Sequence, residues 1–304
     1  MEIKVFGHKN PDTDTIMSSL VMANLETKLG NEAKAYRLGN INKETKYALE
    51  YFKQDAPELL EKVEEGEQVI LVDHNEFGQS ADGVENAKIT KVIDHHKIAD
   101  FKTSEPLFYL AMPVGCTSTI LYRLYKLYNV EIDSKIAGLA LSAIISDTLL
   151  FKSPTCTEKD VEAAKELEKI VGIDMNKYGL EMLKAGTDLS DYTPAELINI
   201  DSKPFVKDNG KFQVAQVNTA CIEDVLENKT EIENAMKEFM QENNVDLFVL
   251  LITDILENNS QIIVLGRQEV AEKAFDVKLD DNMAFLPGVV SRKKQVAPVL
   301  DKCF

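Results

Sequence analysis

Apolar positions along this chain follow two rhythms, and the balance between them changes as the chain proceeds. In the first hundred residues, short apolar runs alternate with stretches of helical spacing. Lys4-Val5-Phe6 reads as a strand that ends at Gly7-His8. Residues 15–29 read as a helix, because Ile16, Leu20 and Ala23 recur at helical intervals and Gly30 suits its C-terminal cap. A strand is predicted over 33–38, a helix over 43–52, and three more strands over 68–72, 89–93 and 107–112. Short apolar strands separated by helices predict a parallel sheet with helices on both faces. The chain then turns helical over 116–128, 134–150, 157–170 and 175–184, with Ser134 and Thr157 as expected N-caps.

The periodicity lapses in the polar stretch Gly186-Thr-Asp-Leu-Ser-Asp-Tyr-Thr-Pro194, where Thr193-Pro194 suits the start of a new helix. This predicts a first domain over 1–188, a linker over 189–194 and a second domain over 195–304. The second reads as a smaller mixed α/β domain. Asp208-Asn-Gly210 predicts a hairpin turn into a strand over 211–217. Residues 223–243 are largely helical in pattern. Strands over 246–255 and 261–265 are expected to pair around Glu257-Asn-Asn-Ser260. The active site is expected in the cleft between the two domains.

Composition narrows the function. The 304 residues suffice for two domains. No apolar run approaches the roughly 20 residues that span a bilayer. The N-terminal Met-Glu-Ile-Lys-Val-Phe-Gly lacks the basic-then-apolar order of a signal peptide, so the cytoplasm is the expected compartment and no membrane partner is expected. Cys116, Cys156, Cys221 and Cys303 are far apart and read as free thiols in a reducing compartment. The net charge of -17 argues against a nucleic-acid surface, which needs a basic face. It also means that a small anion could bind only where the few cations are gathered.

The chemistry begins with the histidines. There are four, His8, His74, His95 and His96, and each stands directly beyond an apolar strand. In an open parallel sheet, ligands bind outside the carboxyl ends of the strands, so these side chains should converge in one crevice. Asp73 precedes His74, and Asp94 precedes His95. Asp12 and Asp14 are expected just before the first helix. One aspartate is enough to cap it, which leaves the other for a different role. Asp147 lies within Leu139-Ala-Leu-Ser-Ala-Ile-Ile-Ser-Asp-Thr-Leu-Leu-Phe151, a setting that should bury it, and a buried carboxylate needs a cation or good hydrogen bonds.

His8, Asp12, Asp14, Asp73, His95 and Asp147 therefore form a candidate metal shell, with His96 nearby. Six ligands are too many for one ion, and two ions sharing a carboxylate accommodate them. Imidazole and carboxylate together suit manganese, iron or cobalt, and magnesium less well. Two ions about 4 Å apart are a recurrent device for in-line attack on phosphorus. The only adjacent basic residues are in Ser291-Arg292-Lys293-Lys294-Gln295, and Lys203 stands alone in Asp201-Ser-Lys-Pro-Phe205. Arginine offers a fork to phosphate oxygens and lysine a point charge.

Taken together, Gly-His-x-x-Pro-Asp-x-Asp, Asp-His-Asn, Asp-His-His, the helical Ser-Asp-Thr and the late Ser-Arg-Lys-Lys-Gln resemble the family II inorganic pyrophosphatases of the DHH phosphoesterase superfamily. The motifs run from His8 to Gln295. The late basic motif carries the specificity, since DHH nucleases have a Gly-Gly-Gly-His element there and this chain has none. The resemblance implies hydrolysis of pyrophosphate by a hydroxide bridging two Mn2+ or Co2+ ions, with additional Mg2+ or Mn2+ arriving with substrate.

It further implies that His8 and Asp12 hold one ion and that Asp14, His95 and Asp147 hold the other, with Asp73 bridging; the ion that Asp147 serves stays open. His96, Lys203, Arg292 and Lys293 would bind the pyrophosphate oxygens, with His96 as proton donor. His74, Asn75 and Asp94 would orient ligands. The resemblance also implies a homodimer through the first domain and closure of the second domain over substrate. Two other readings share this scaffold: a phosphoesterase for oligonucleotides, cyclic dinucleotides or polyphosphate, and a non-catalytic metal-dependent binding protein.

Overall fold

A computed structural model describes residues 2–304. The chain divides into two compact units, Met1–Gly186 and Thr187–Phe304. In the first, the order is β1 (Ile3–Phe6), α1 (Thr13–Lys28), β2 (Ala33–Arg37), α2 (Lys43–Tyr51), β3 (Glu58–Leu59), β4 (Gln68–Val72), β5 (Lys88–Asp94) and β6 (Phe108–Ala111). Four helices follow: α3 (Thr117–Leu127), α4 (Ser134–Thr148), α5 (Glu158–Val171) and α6 (Met175–Gly186).

All six strands are parallel, in the order β3-β2-β1-β4-β5-β6. From β1 the chain builds leftward to β3, and from β4 rightward to β6, so the order reverses between β1 and β4. Right-handed crossovers then put the connections of the two halves on opposite faces. α1 and α2 cover one face; α3, α4 and α6 pack onto them, and α5 packs on α3 and α4. The other face is closed by 3-10 turns at Phe77–Gln79 and Val84–Asn86, where Val84, Leu60 and Ala81 pack on Phe6, Leu71 and Val92.

α1 and α4 touch each other along their lengths and are buried nearly all round. That suits α4, which is apolar on every side. Asp12 caps α1, its side chain accepting from Thr15 N at 2.9 Å. The helix begins at Thr13, two residues earlier than its apolar spacing suggests, so Asp14 lies inside the first turn and not before it. Gly30 takes a left-handed φ of 91° one residue past the cap at Leu29. α4 is capped by Asp133 rather than Ser134, because Asp133 accepts from Ile136 N at 3.0 Å. Thr157 caps α5 as expected, in a reciprocal box with Asp160.

The second unit contains α7 (Pro194–Leu197), β7 (Ser202–Lys207), β8 (Gly210–Thr219), α8 (Ile222–Leu226), α9 (Lys229–Asn243), β9 (Leu247–Asp254), β10 (Asn259–Gly266), α10 (Gln268–Phe275), β11 (Met283–Leu286), a π-helical turn at Arg292–Val296 and α11 (Ala297–Cys303). Its sheet runs β11-β10-β9-β8-β7 and is antiparallel except for β8 with β9. Both hairpins fall where the turn residues predict them. Each face has its own core: Phe212, Val214 and Leu300 on one, Val217, Ile232 and Met236 on the other. Leu189, in the polar stretch after Gly186, packs against the second of these. No helix among the described residues is long and apolar enough to cross a membrane.

Candidate metal centre

The reversal point between β1 and β4 is where an open parallel sheet leaves a crevice, and both strands end there in candidate ligands. His8 follows β1. Asp73 follows β4 in a left-handed backbone conformation, φ 60°, which is costly for a residue with a β-carbon. Asp94, His95 and His96 come from the end of β5. α1 supplies Asp12 and Asp14 from its N-terminus, and α4 supplies Asp147 one residue before its end.

These side chains meet. His8 Nε2 is 3.4 Å from Asp12 Oδ2 and 3.5 Å from Asp73 Oδ2. His95 Nε2 is 3.3 Å from Asp73 Oδ1 and 3.7 Å from Asp147 Oδ2. Three sets of potential ligand atoms each lie within 4.8 Å of one another: His8, Asp12 and Asp73; Asp73, His95 and His96; Asp14, Cys116 and Asp147. Asp73 belongs to two of them.

The imidazoles are aimed from behind. His8 Nδ1 is bonded to Lys9 O at 2.8 Å and His95 Nδ1 to Val114 O at 3.0 Å, so both present Nε2 to the carboxylates. Asp73 accepts from Thr15 Oγ1 at 2.6 Å and Thr117 Oγ1 at 3.0 Å. Asp14 receives Thr117 N at 2.7 Å and Ser118 N at 3.3 Å from the start of α3, together with Ser18 Oγ at 2.7 Å. The positive end of that helix favours the carboxylate.

The electrostatics mark a site short of positive charge. Burial, reinforced by the charge of Asp14, pushes Asp73 up to about 7. Burial and the charges of Asp14, Asp73 and Asp12 hold the Asp147 carboxyl well above its ordinary range. His8 and His95 rise to about 9; burial lowers them, but hydrogen bonds and charge from the neighbouring carboxylates outweigh it. In Asp12 burial acts upward and is overcome by the His8 contact and the Thr15 amide, so its carboxyl is held low. Four carboxylates converging with two imidazoles, each presenting Nε2 to them, form a donor set that fits divalent cations of intermediate softness.

The remaining histidines differ. His96 Nδ1 bonds Asp94 Oδ1 at 2.9 Å, a contact that raises its pKa, and about half of the side chain is exposed. Asn75 Nδ2 donates to Asp94 Oδ2 at 2.6 Å and to Lys97 O at 2.9 Å, so Asn75 and Asp94 support His96. His74 turns elsewhere: it is buried between Val72 O at 2.9 Å and Ser80 Oγ at 3.0 Å, and burial lowers its pKa to about 4. Its role here is to hold the chain behind Asp73.

Cys116 is free, as its spacing suggests, but it lies against Asp14 and Asp147. Burial first, then those two charges, keeps its thiol protonated. Neither it nor the hydroxyls of Thr15, Thr117 and Ser18 stands out in the sequence. The available signal is the run of small polar residues from Gly115 to Thr119 at the start of a helix.

In the second unit the basic motif is solvated only in part: Lys293 and Lys294 are exposed, and Arg292 is not. Arg292 is buried in the π-helical turn and forks onto Asp201, Nη2 to Oδ1 at 2.8 Å and Nε to Oδ2 at 3.2 Å. Its amide donates to Gln216 Oε1 at 3.0 Å. Lys293 and Lys203 are exposed. Strand alternation puts Lys203 on the face of β7 that carries Phe205, which packs on the same core as Val296. Lys203 and the basic turn thus share one face of this sheet.

Comparison with known proteins identifies the family. The DHH family N-terminal domain matches residues 2–144, and the DHHA2 domain matches 180–303. The manganese-dependent inorganic pyrophosphatase of Bacillus subtilis is 56% identical over 301 residues, covering 98% of this chain and 97% of the relative. The probable manganese-dependent inorganic pyrophosphatase of Exiguobacterium sp. is 58% identical over 300 residues, with the same coverage. A crystal structure from Methanococcus jannaschii, assigned to family II inorganic pyrophosphatase, is 42% identical with a TM-score of 0.62 and covers 99% of both chains. With two domains matched in order and relatives this similar along nearly its whole length, the chain belongs to the manganese-dependent, family II inorganic pyrophosphatases, hydrolases of the DHH superfamily.

Proposed function

We propose that this protein hydrolyses inorganic pyrophosphate to two phosphates at a dinuclear centre in its N-terminal unit. The observation that carries the reading is Asp73, whose two oxygens face different imidazoles, Oδ2 toward His8 and Oδ1 toward His95. One carboxylate thereby belongs to two ligand sets. On this reading His8 and Asp12 hold one ion and Asp14, His95 and Asp147 the other, with Asp73 between them. The names of the relatives favour manganese; the donor set suits Co2+ equally, and further Mg2+ or Mn2+ accompanies the substrate. When bound, two such ions supply a water acidic enough to attack at neutral pH and positive charge for the phosphoryl oxygens.

The chain's own residues bind and orient the substrate. Arg292, its fork pre-set by Asp201, and the ammonium groups of Lys203 and Lys293 take the charge of the departing phosphate. His96, held at Nδ1 by Asp94, presents Nε2 as proton donor to that phosphate. Gathering these cations on one face lets a protein of net charge -17 bind an anion. No side chain is needed as nucleophile. The protein acts in the cytoplasm as a homodimer joined through the N-terminal unit. Chelation followed by reloading with Mn2+ tests the central claim: phosphate release from pyrophosphate should vanish and return. A fully loaded preparation that releases none overturns it.

A further inference from the structure

Glu44, in the first turn of α2, is a half-buried carboxylate with no part in the chemistry above. Two hydroxyls donate to one of its oxygens. Thr13 Oγ1 reaches Oε1 at 2.6 Å, and Ser146 Oγ reaches the same atom. Thr13 stands between Asp12 and Asp14 at the start of α1. Ser146 immediately precedes Asp147 near the end of α4. Three of the six candidate ligands therefore have, as a chain neighbour, a hydroxyl that Glu44 fixes. The other side of the carboxylate abuts Gly186, the last residue of α6: a β-carbon there would lie 2.8 Å from Glu44 Cβ and 3.0 Å from Oε2. Glu44 is wedged among three helices with little room to shift.

The site needs such a tie. Ligand atoms of Asp14, on α1, and Asp147, on α4, lie within 4.8 Å of each other, so the spacing of these two helices sets how the carboxylates meet. Asp147 also sits where α4 gives way to three successive left-handed residues, Leu149, Leu150 and Phe151, at φ 48°, 52° and 67°. Each of these is unfavourable for a residue with a side chain, so the helix that carries Asp147 ends in a strained turn, although Leu149 N and Leu150 N still close onto its last carbonyls.

We propose that Glu44 is a positioning residue for the metal centre, holding the ligands of α1 and α4 at their working separation through the hydroxyls of Thr13 and Ser146. The inference rests on the reading of Asp12, Asp14 and Asp147 as ligands. Groups that orient metal ligands from behind commonly change affinity by about 10–100-fold when removed.

Two variants of the full-length protein separate this role from mere packing. Glu44→Gln keeps an acceptor at the position of Oε1, whereas Glu44→Met fills similar space and accepts from neither hydroxyl. After chelation, the Mn2+ dissociation constant is measured by calorimetric titration, with circular dichroism confirming that each variant is folded at the temperature used. Glu44→Gln should bind within about threefold of wild type, and Glu44→Met about 10–100-fold more weakly. The double variant Thr13→Val, Ser146→Ala should reproduce the Met result, and it supplies the answer if Glu44→Met does not fold. Wild-type affinity in a folded Glu44→Met or in the double variant overturns the proposal. So does an equal loss in Glu44→Gln, because the acceptor would then not matter. Failure of wild type itself to bind Mn2+ would instead overturn the metal-centre reading.

Discussion

At the scale of single residues, the crowding of carboxylates and imidazoles in the centre raises the affinity of several of them for protons. Asp73 at about 7 and His8 and His95 at about 9 all favour the protonated form in the folded chain. A group whose pKa is raised by folding contributes stability that is complete below its unfolded value and lost as pH climbs through its folded one. For Asp73 that loss runs from 3.8 to about 7, and for the two imidazoles from 6.5 to about 9. The metal-free protein should therefore weaken from about pH 4 to about pH 9, while Mn2+ displaces the same protons and binds more tightly. Scanning calorimetry with and without Mn2+ should show a metal-induced rise in Tm that grows across this range; a flat or shrinking rise contradicts it. Asp201 belongs to the same scale. Without its two contacts, the Arg292 fork is no longer pre-set. Asp201→Ala should raise KM for pyrophosphate by about tenfold, equivalent to roughly 1.4 kcal/mol, with less effect on kcat. Steady-state kinetics that show kcat alone falling would remove Asp201 from this role.

The elements explain why some aspartates serve twice. Asp12 caps α1 through Thr15 N and also faces His8. Asn caps helices about as well as Asp but is a poorer ligand. Asp12→Asn should leave the chelated protein's Tm within about a degree or two of wild type, since the cap survives, while weakening Mn2+ binding at least about tenfold. Mn2+ affinity unchanged from wild type would mean that Asp12 is only a cap. Asp133 is the converse: it caps α4 and touches no ligand, so Asp133→Ala should cost about 1 kcal/mol and leave turnover intact. Elements are also where the sequence was easiest to read and where it stopped. Long periodic helices and the apolar strands β1, β4 and β5 were legible because one face, or both, is buried. β3, with two exposed residues, carries no such pattern. The parallel pairing of β8 with β9 fits the helical crossover through α8 and α9, but that these two strands are neighbours in the sheet is not fixed by any local pattern.

On the scale of the whole molecule, ligands and cations reside in different units, each with its own core. Residues 1–186 expressed alone should therefore fold and bind Mn2+ yet release little phosphate from pyrophosphate, because Lys203, Arg292 and Lys293 are missing. Turnover near the full-length rate would mean that the second unit is dispensable.

The sequence by itself determined the residue types of the centre and their placement after apolar strands, because strand ends and helix starts are local features that hydrophobic spacing reveals. Only the tertiary structure decided which atoms meet. Asp73 lies between His8 and His95 because β4 stands between β1 and β5 in the sheet, and no local pattern fixes strand order. The same holds for Glu44, Cys116 and Thr117, which reach the centre across 30 to 100 residues of chain. It holds for Arg292, too, whose burial against Asp201 depends on a sheet edge formed some ninety residues earlier. Local periodicity reports which side of an element is buried; what it is buried against depends on packing between elements distant in sequence.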